Sequence, residues 1–247
     1  MTATSQLASF STPPEGVVAA FLQTADHLYA SEDLDETLHR LTTAITQTIP
    51  GCEFASVTMA EAGSYVTRGE TNPLARQIDE IQYETGEGPC LDAAETEALV
   101  YTPNMARDTR WPQFSARVAE EAGVGSLLSC RLSLAAAPGW TLGAINLYAM
   151  QPDKYTEEDR DLALLFAAIT AVVLDASRRQ RQLRQAMDSR DVIGQAMGVL
   201  MAQSNLTAEE AFAHLRTASQ RLNVKLHDVA ARIAASQAAR CEQLRDT

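Results

Sequence analysis

This sequence has no C-x-x-C pair, no G-x-S-x-G, no Walker A phosphate loop and no H-E-x-x-H. Each absence closes a class. The four cysteines, Cys52, Cys90, Cys130 and Cys241, stand apart, and the four histidines do not flank them at ligand spacing. No metal centre is expected, and the thiols read as reduced and inert. No segment reaches the roughly 18 apolar residues of a membrane span. The start, MTATSQLASFSTPPEG, lacks the basic opening and apolar stretch of a signal peptide. The expectation is a cytoplasmic protein without membrane contact. Missing nucleophile, phosphate and zinc patterns argue against an enzyme, and nothing asks for a cofactor.

What is present suits two modules. The chain has 247 residues, 46 % of them hydrophobic, enough for ordinary cores. Its net charge of −12 is uneven: residues 1–177 sum to −16 and residues 178–247 to +4. An acidic first part would repel a polyphosphate, whereas a mildly basic tail can approach one. A solvated arginine-rich helix face would give the same charge.

Residues 1–15 read as a loose tail. Apolar residues at helical spacing predict helices over 16–29 and 34–48, ended by Pro50-Gly51. Residues 54–59 and 64–67 then read as a hairpin about Glu61-Ala-Gly63. A helix is expected over 74–81, a Gly/Pro-punctuated loop over 85–92, a short strand at 99–101 and a helix at 111–121. Two longer strands at 126–134 and 141–148 flank a turn over 135–139. The class is α+β with an antiparallel sheet.

At Thr156 the pattern changes. Thr156 suits an N-cap, with Glu157, Glu158 and Asp159 complementing the helix dipole. No Pro or Gly follows until Gly194. Leu162, Phe166, Ile169, Val173, Ala176, Gln180, Leu183 and Met187 alternate at spacings of four and three, a heptad seam. A helix from 157 to about 203 would be about 70 Å long at roughly 1.5 Å per residue. One small domain cannot cover both its sides, so a parallel homodimer is expected. Packing of residues 157–177 on the first domain alone is the competing reading. No His occurs between residue 157 and His214, which leaves no phosphoacceptor for a sensor kinase.

Three amphipathic helices end the chain. Ile193, Ala196, Met197, Leu200 and Met201 share one face. Thr207-Ala-Glu-Glu210 is a capping box opening a helix lined by Ala208, Ala211, Phe212, Leu215 and Leu222. Asn223 tolerates the left-handed turn before Leu226, Val229, Ala230, Ile233 and Ala234. Gly198 sits inside the first helix and suggests close approach of another backbone.

The run Arg190-Asp-Val-Ile-Gly-Gln-Ala-Met-Gly-Val-Leu-Met201, with Leu206-Thr-Ala-Glu-Glu-Ala-Phe212, Leu215-Arg216, Ser219, Asn223, Lys225-Leu226 and Asp228-Val-Ala230, resembles the ANTAR module over about 183–240. The resemblance implies a dimeric RNA-binding domain that holds tandem leader hairpins and prevents terminator formation. That family often has Lys where this chain has Met197. Exposed polar and close-approach positions make Arg190, Gln195, Ala196, Gly198, Arg216, Ser219, Gln220, Lys225 and Arg232 the candidate RNA contacts. The same three helices also suit a DNA-binding helix-turn-helix. Against that, residues 225–238 offer only Lys225 and Arg232 as cations.

Upstream, Gly86-Glu-Gly-Pro-Cys-Leu-Asp92 and Trp140-Thr-Leu-Gly-Ala-Ile-Asn-Leu-Tyr148 resemble a GAF sensor domain. This implies a six-stranded antiparallel sheet with a small-molecule cavity on one face, lined here by Tyr83, Cys90, Tyr101 and Trp111. The alternative is a dimerisation platform with those residues as core. Cys90 precedes Leu91, whereas a bilin-attaching cysteine precedes His, and no haem-ligand histidine stands out. The expected order is a tail (1–15), a GAF-like sensor (16–156), an exit helix and coiled-coil linker (157–189) and an ANTAR-like three-helix bundle (190–240). A signal at the sensor would change how the linker helices pair and so how two bundles meet two hairpins.

Overall fold

The computed structural model describes residues 33–61, 63–134 and 141–245, with 237–245 as backbone alone. The tail over 1–15, the helix expected over 16–29 and the turn over 135–139 lie outside the described residues. The chain divides into two compact units, residues 1–177 and 178–247.

In the first unit, helix α1 spans Leu34–Thr48. Asp33 caps it by accepting from the amides of Asp35 and Glu36, and Leu38, Leu41 and Ile45 bury one face. Five strands follow among the described residues, one fewer than the resemblance implied: β1 (Phe54–Glu61), β2 (Ser64–Arg68), β3 (Leu99–Thr102), β4 (Ser126–Ser133) and β5 (Thr141–Ala149). They form one antiparallel sheet in the order β2-β1-β5-β4-β3. Glu61 opposite Ser64 closes the β1–β2 hairpin, where Gly63 takes a φ of +88°.

Between β2 and β4 lie α2 (Pro73–Thr85), α3 (Pro89–Glu95), a 3-10 turn at Met105–Arg107 and α4 (Pro112–Glu121). Helix α3 begins inside the loop predicted over 85–92. Pro89 stands at its first position, where the missing N–H would have no helical partner anyway. The next amide, of Cys90, donates to Gln82 Oε1 at 2.9 Å. Gly88 has φ +142°, and a side chain there would run into Gln82.

Successive strand residues face opposite sides of the sheet, and both sides are covered. Ala55, Val57, Met59, Leu128, Cys130, Leu132, Ile145 and Leu147 meet α1 and the start of the long helix. Phe54, Leu127, Ala144 and Tyr148 meet α2, α3 and α4 through Ile78, Cys90, Trp111 and Phe114.

Helix α5 runs unbroken from Glu157 to Ser204. Its start is a capping arrangement: the Thr156 amide donates to Asp159 Oδ2 (2.9 Å), and the Asp159 amide donates to Thr156 Oγ1 (3.2 Å). Its first half corrects the predicted seam. Phe166, Ile169 and Val173 are buried in the sheet core with Ala163, Ala167, Ala171 and Leu174. Of the eight seam positions, the lower ones remain outside this core, with Leu183 64 % and Met187 60 % exposed.

Candidate nucleic-acid interface

The second unit joins the end of α5 to α6 (Ala208–Leu222) and α7 (Leu226–Arg245). Thr207 and Glu210 close the expected capping box: the Thr207 amide donates to Glu210 Oε2 at 2.8 Å and the Glu210 amide to Thr207 Oγ1 at 3.3 Å. Such a cap contributes about 1 kcal/mol. Glu210 is held below its ordinary carboxylate value by these bonds from Thr207. Asn223 ends α6 in the left-handed conformation, φ 51°.

The bundle closes over a small core of Ala196, Leu215, Val229 and Ala230, flanked by half-buried Val192, Ile193, Met197, Leu200, Ala218, Val224, Leu226 and Ile233. Four residues assigned to helix cores from their spacing stay outside, Ala208 among them. Phe212 is 41 % exposed, Leu222 54 % and Met201 38 %. Helical spacing places them on the right side of each helix but not at the depth where the short helices converge.

The candidate RNA contacts separate by burial and bonding. Arg190, Gln195, Gly198, Arg216, Gln220, Lys225 and Arg232 are exposed. Arg190, Arg216, Lys225 and Arg232 make no ion pair among the described residues. Ala196 is wholly buried in the bundle core with Leu215 and Ala230, so it offers no side chain to RNA. Ser219 is half-buried, and its hydroxyl donates to the Val224 carbonyl at 2.6 Å, bracing the α6–α7 turn. A Cβ placed on Gly194 or Gly198 would meet nothing within 4 Å, so both leave open backbone on α5. Between α5 and α6 a cleft of about 540 Å³ is lined by Arg190, Asp191, Ile193, Gly194, Gln195, Met197 and Phe212. Phe212 and Asp191 are outside the sequence candidates, because helical spacing assigns Phe212 to the core and an acidic residue gives no signal for a phosphate contact.

The candidate ligand pocket of the first unit is divided by the sheet. Tyr83, Cys90 and Trp111 share the side covered by α2–α4. Trp111 donates from its indole to Asp92 Oδ2 at 2.9 Å. Tyr101 is a correction. It lies on the opposite side, edge-on to Tyr155 at 6.0 Å between centroids, because neighbouring strand positions face opposite ways.

Beside Tyr83 is a group the sequence did not announce. Asp79 is wholly buried, and its carboxylate accepts from Ser56 (2.7 Å), Thr67 (3.0 Å), Asn146 (3.1 Å), Gln82 (3.4 Å) and the Tyr148 hydroxyl. Tyr83 shares hydrogen bonds with Thr58 (2.9 Å) and Thr67 (2.8 Å). Burial pushes the Asp79 carboxyl up to about 6, against the lowering effect of the donors from Tyr148, Ser56 and Thr67. Cys90 is pushed well above its ordinary thiol value by burial, and Cys52 and Cys130 up to about 12. These are unreactive thiols.

A GAF domain model matches residues 31–175 and an ANTAR domain model residues 181–233. No curated protein matches the chain. Among solved structures, the free methionine-R-sulfoxide reductase of Neisseria meningitidis in complex with its substrate is 16 % identical. That match has a TM-score of 0.52 and covers 70 % of this chain and 97 % of the other. The GAF domain of an Acinetobacter phosphoenolpyruvate-protein phosphotransferase is 13 % identical at a TM-score of 0.50, over 67 % of this chain and 96 % of its own. At such identities the likeness is one of fold.

Proposed function

For a chain that belongs to the GAF domain family over residues 31–175 and carries an ANTAR RNA-binding antitermination domain over 181–233, we propose a dimeric regulator that holds tandem leader-RNA hairpins and so prevents terminator formation. The exposed cations Arg190, Arg216, Lys225 and Arg232 on the matched module carry this reading. They suit phosphates flanking a hairpin loop, with Gln195 and Gln220 able to bond to base edges. The exposed apolar side chains of Leu183 and Met187 support pairing of two α5 helices. Two bundles on one dimer would raise the effective concentration of the second for the second hairpin. The first unit would take a small-molecule signal on the side of the sheet that holds Tyr83, Cys90 and Trp111.

Crosslinking RNA to the purified full-length protein and sequencing it tests the function. Tandem short-loop hairpins upstream of terminators are the expected product. Preferential recovery of duplex DNA would favour a helix-turn-helix regulator instead and overturn this reading.

A further inference from the structure

The cleft between α5 and α6 combines features that a phosphate site would not need. Phe212 presents an aromatic ring that is 41 % exposed. Gly194 offers backbone with no Cβ, leaving open space beside the ring. Arg190 and Gln195 line the same cleft and make no hydrogen bond among the described residues. Asp191 is there too, and a carboxylate repels phosphate while accepting from amino groups. A flat ring, an opening beside it and a mixed set of donors and acceptors fit a planar, neutral, hydrogen-bonding ligand. Its volume, about 540 Å³, is in the range of small-ligand pockets. Aromatic rings stack on unpaired bases, whereas base edges are read by side chains such as Gln, Arg and Asp.

We propose that this cleft receives one unpaired nucleobase of a hairpin loop, stacked on Phe212 with its edge facing Arg190, Asp191 and Gln195. Phe212 would then set which loop nucleotide is read, while Arg216, Lys225 and Arg232 hold the flanking backbone. The proposal rests on the RNA-binding function and adds the place and chemistry of base recognition.

The test has two stages, so that the two failures can be told apart. A pool of two-hairpin RNAs with randomised short loops is first selected on the full-length protein. Failure to enrich any RNA counts against the function itself. The selected RNA is then made with one abasic loop nucleotide at a time and measured against wild type, Phe212→Tyr and Phe212→Leu.

One loop position should cost wild type about tenfold to a hundredfold in affinity when its base is removed, the range for base–aromatic stacking. Phe212→Leu should cost a similar factor on intact RNA and nothing further on that one abasic RNA. Phe212→Tyr should bind as wild type. The proposal is overturned if Phe212→Leu binds intact RNA normally, or if its loss is the same on every abasic RNA. It is also overturned if the loss is accompanied by a change of oligomeric state in sedimentation, which would place the ring in a subunit contact. Unchanged helix content by circular dichroism is expected, since the exposed ring lies outside the buried core of Ala196, Leu215, Val229 and Ala230.

Discussion

Asp79 shows how a single residue can be fixed by its donors and still be titratable. Five side chains point hydrogen atoms at it, yet no cation touches it, and burial is the larger influence. Its folded value of about 6 lies above the ordinary 3.8. A proton is therefore held more tightly in the folded state than in the unfolded one. The stability this carboxyl contributes is complete below about pH 4 and is lost as pH rises through 6. Ionising it in the folded protein at neutral pH costs roughly 3 kcal/mol more than ionising it in the unfolded chain. Urea titrations of wild type and Asp79→Asn from pH 4 to 7.5 should show wild type losing stability relative to the variant across that interval. A difference that stays flat would mean the carboxyl titrates at its ordinary value. Phe212 is the converse case at this scale: a large apolar side chain on an amphipathic helix, left partly in water.

At the scale of elements, α5 does two jobs with one heptad pattern. Phe166, Ile169 and Val173 complete the core under the sheet, so the upper seam is already occupied within the first unit. Below it, Ala176, Gln180, Leu183 and Met187 are all exposed. The proposed pairing of two α5 helices would cover Leu183 and Met187, and the small core of the second unit, five buried apolar side chains among the described residues, supports it. Leu183→Asp with Met187→Asp should convert the protein to monomers in light scattering without lowering the melting temperature of the first unit. A double variant that remains a dimer would remove α5 as the pairing element. Helix α3 teaches a different point. The Gly86–Glu87–Gly88–Pro89 punctuation reads as loop, but Pro at a first helical position and the buried Gln82 acceptor make it a helix start.

For the whole molecule the decisive quantity is the split of charge. Residues 1–177 sum to −16 and 178–247 to +4. Bulk attraction to RNA is therefore weak, and affinity must come from placed contacts. Arg216→Ala and Lys225→Ala should each weaken hairpin binding. Each should also lower the slope of log affinity against log salt by close to one, as the loss of one phosphate contact does. Filter binding over a salt series measures both. An unchanged slope would return these side chains to the role of solvated cations. No helix among the described residues is long and apolar enough to cross a membrane.

What the sequence determined by itself was local. The caps at Thr156 and Thr207, the left-handed turn at Asn223 and the antiparallel hairpin at Gly63 all depend on residues within a few positions of one another. What the tertiary structure decided depends on partners far along the chain. Ser56, Thr58 and Asn146 alternate with apolar residues and look like a watered strand face. They are buried with partners far along the chain: Ser56 and Asn146 donate to Asp79, 67 residues before Asn146, and Thr58 accepts from Asn146 and bonds to the Tyr83 hydroxyl. In the same way spacing put Phe212 in the core, and the resemblance to a sensor domain put Tyr101 with Trp111. Depth, which only the packing of other elements sets, moved each of them. Periodicity names the face of an element, whereas burial of a particular side chain depends on what comes to cover it.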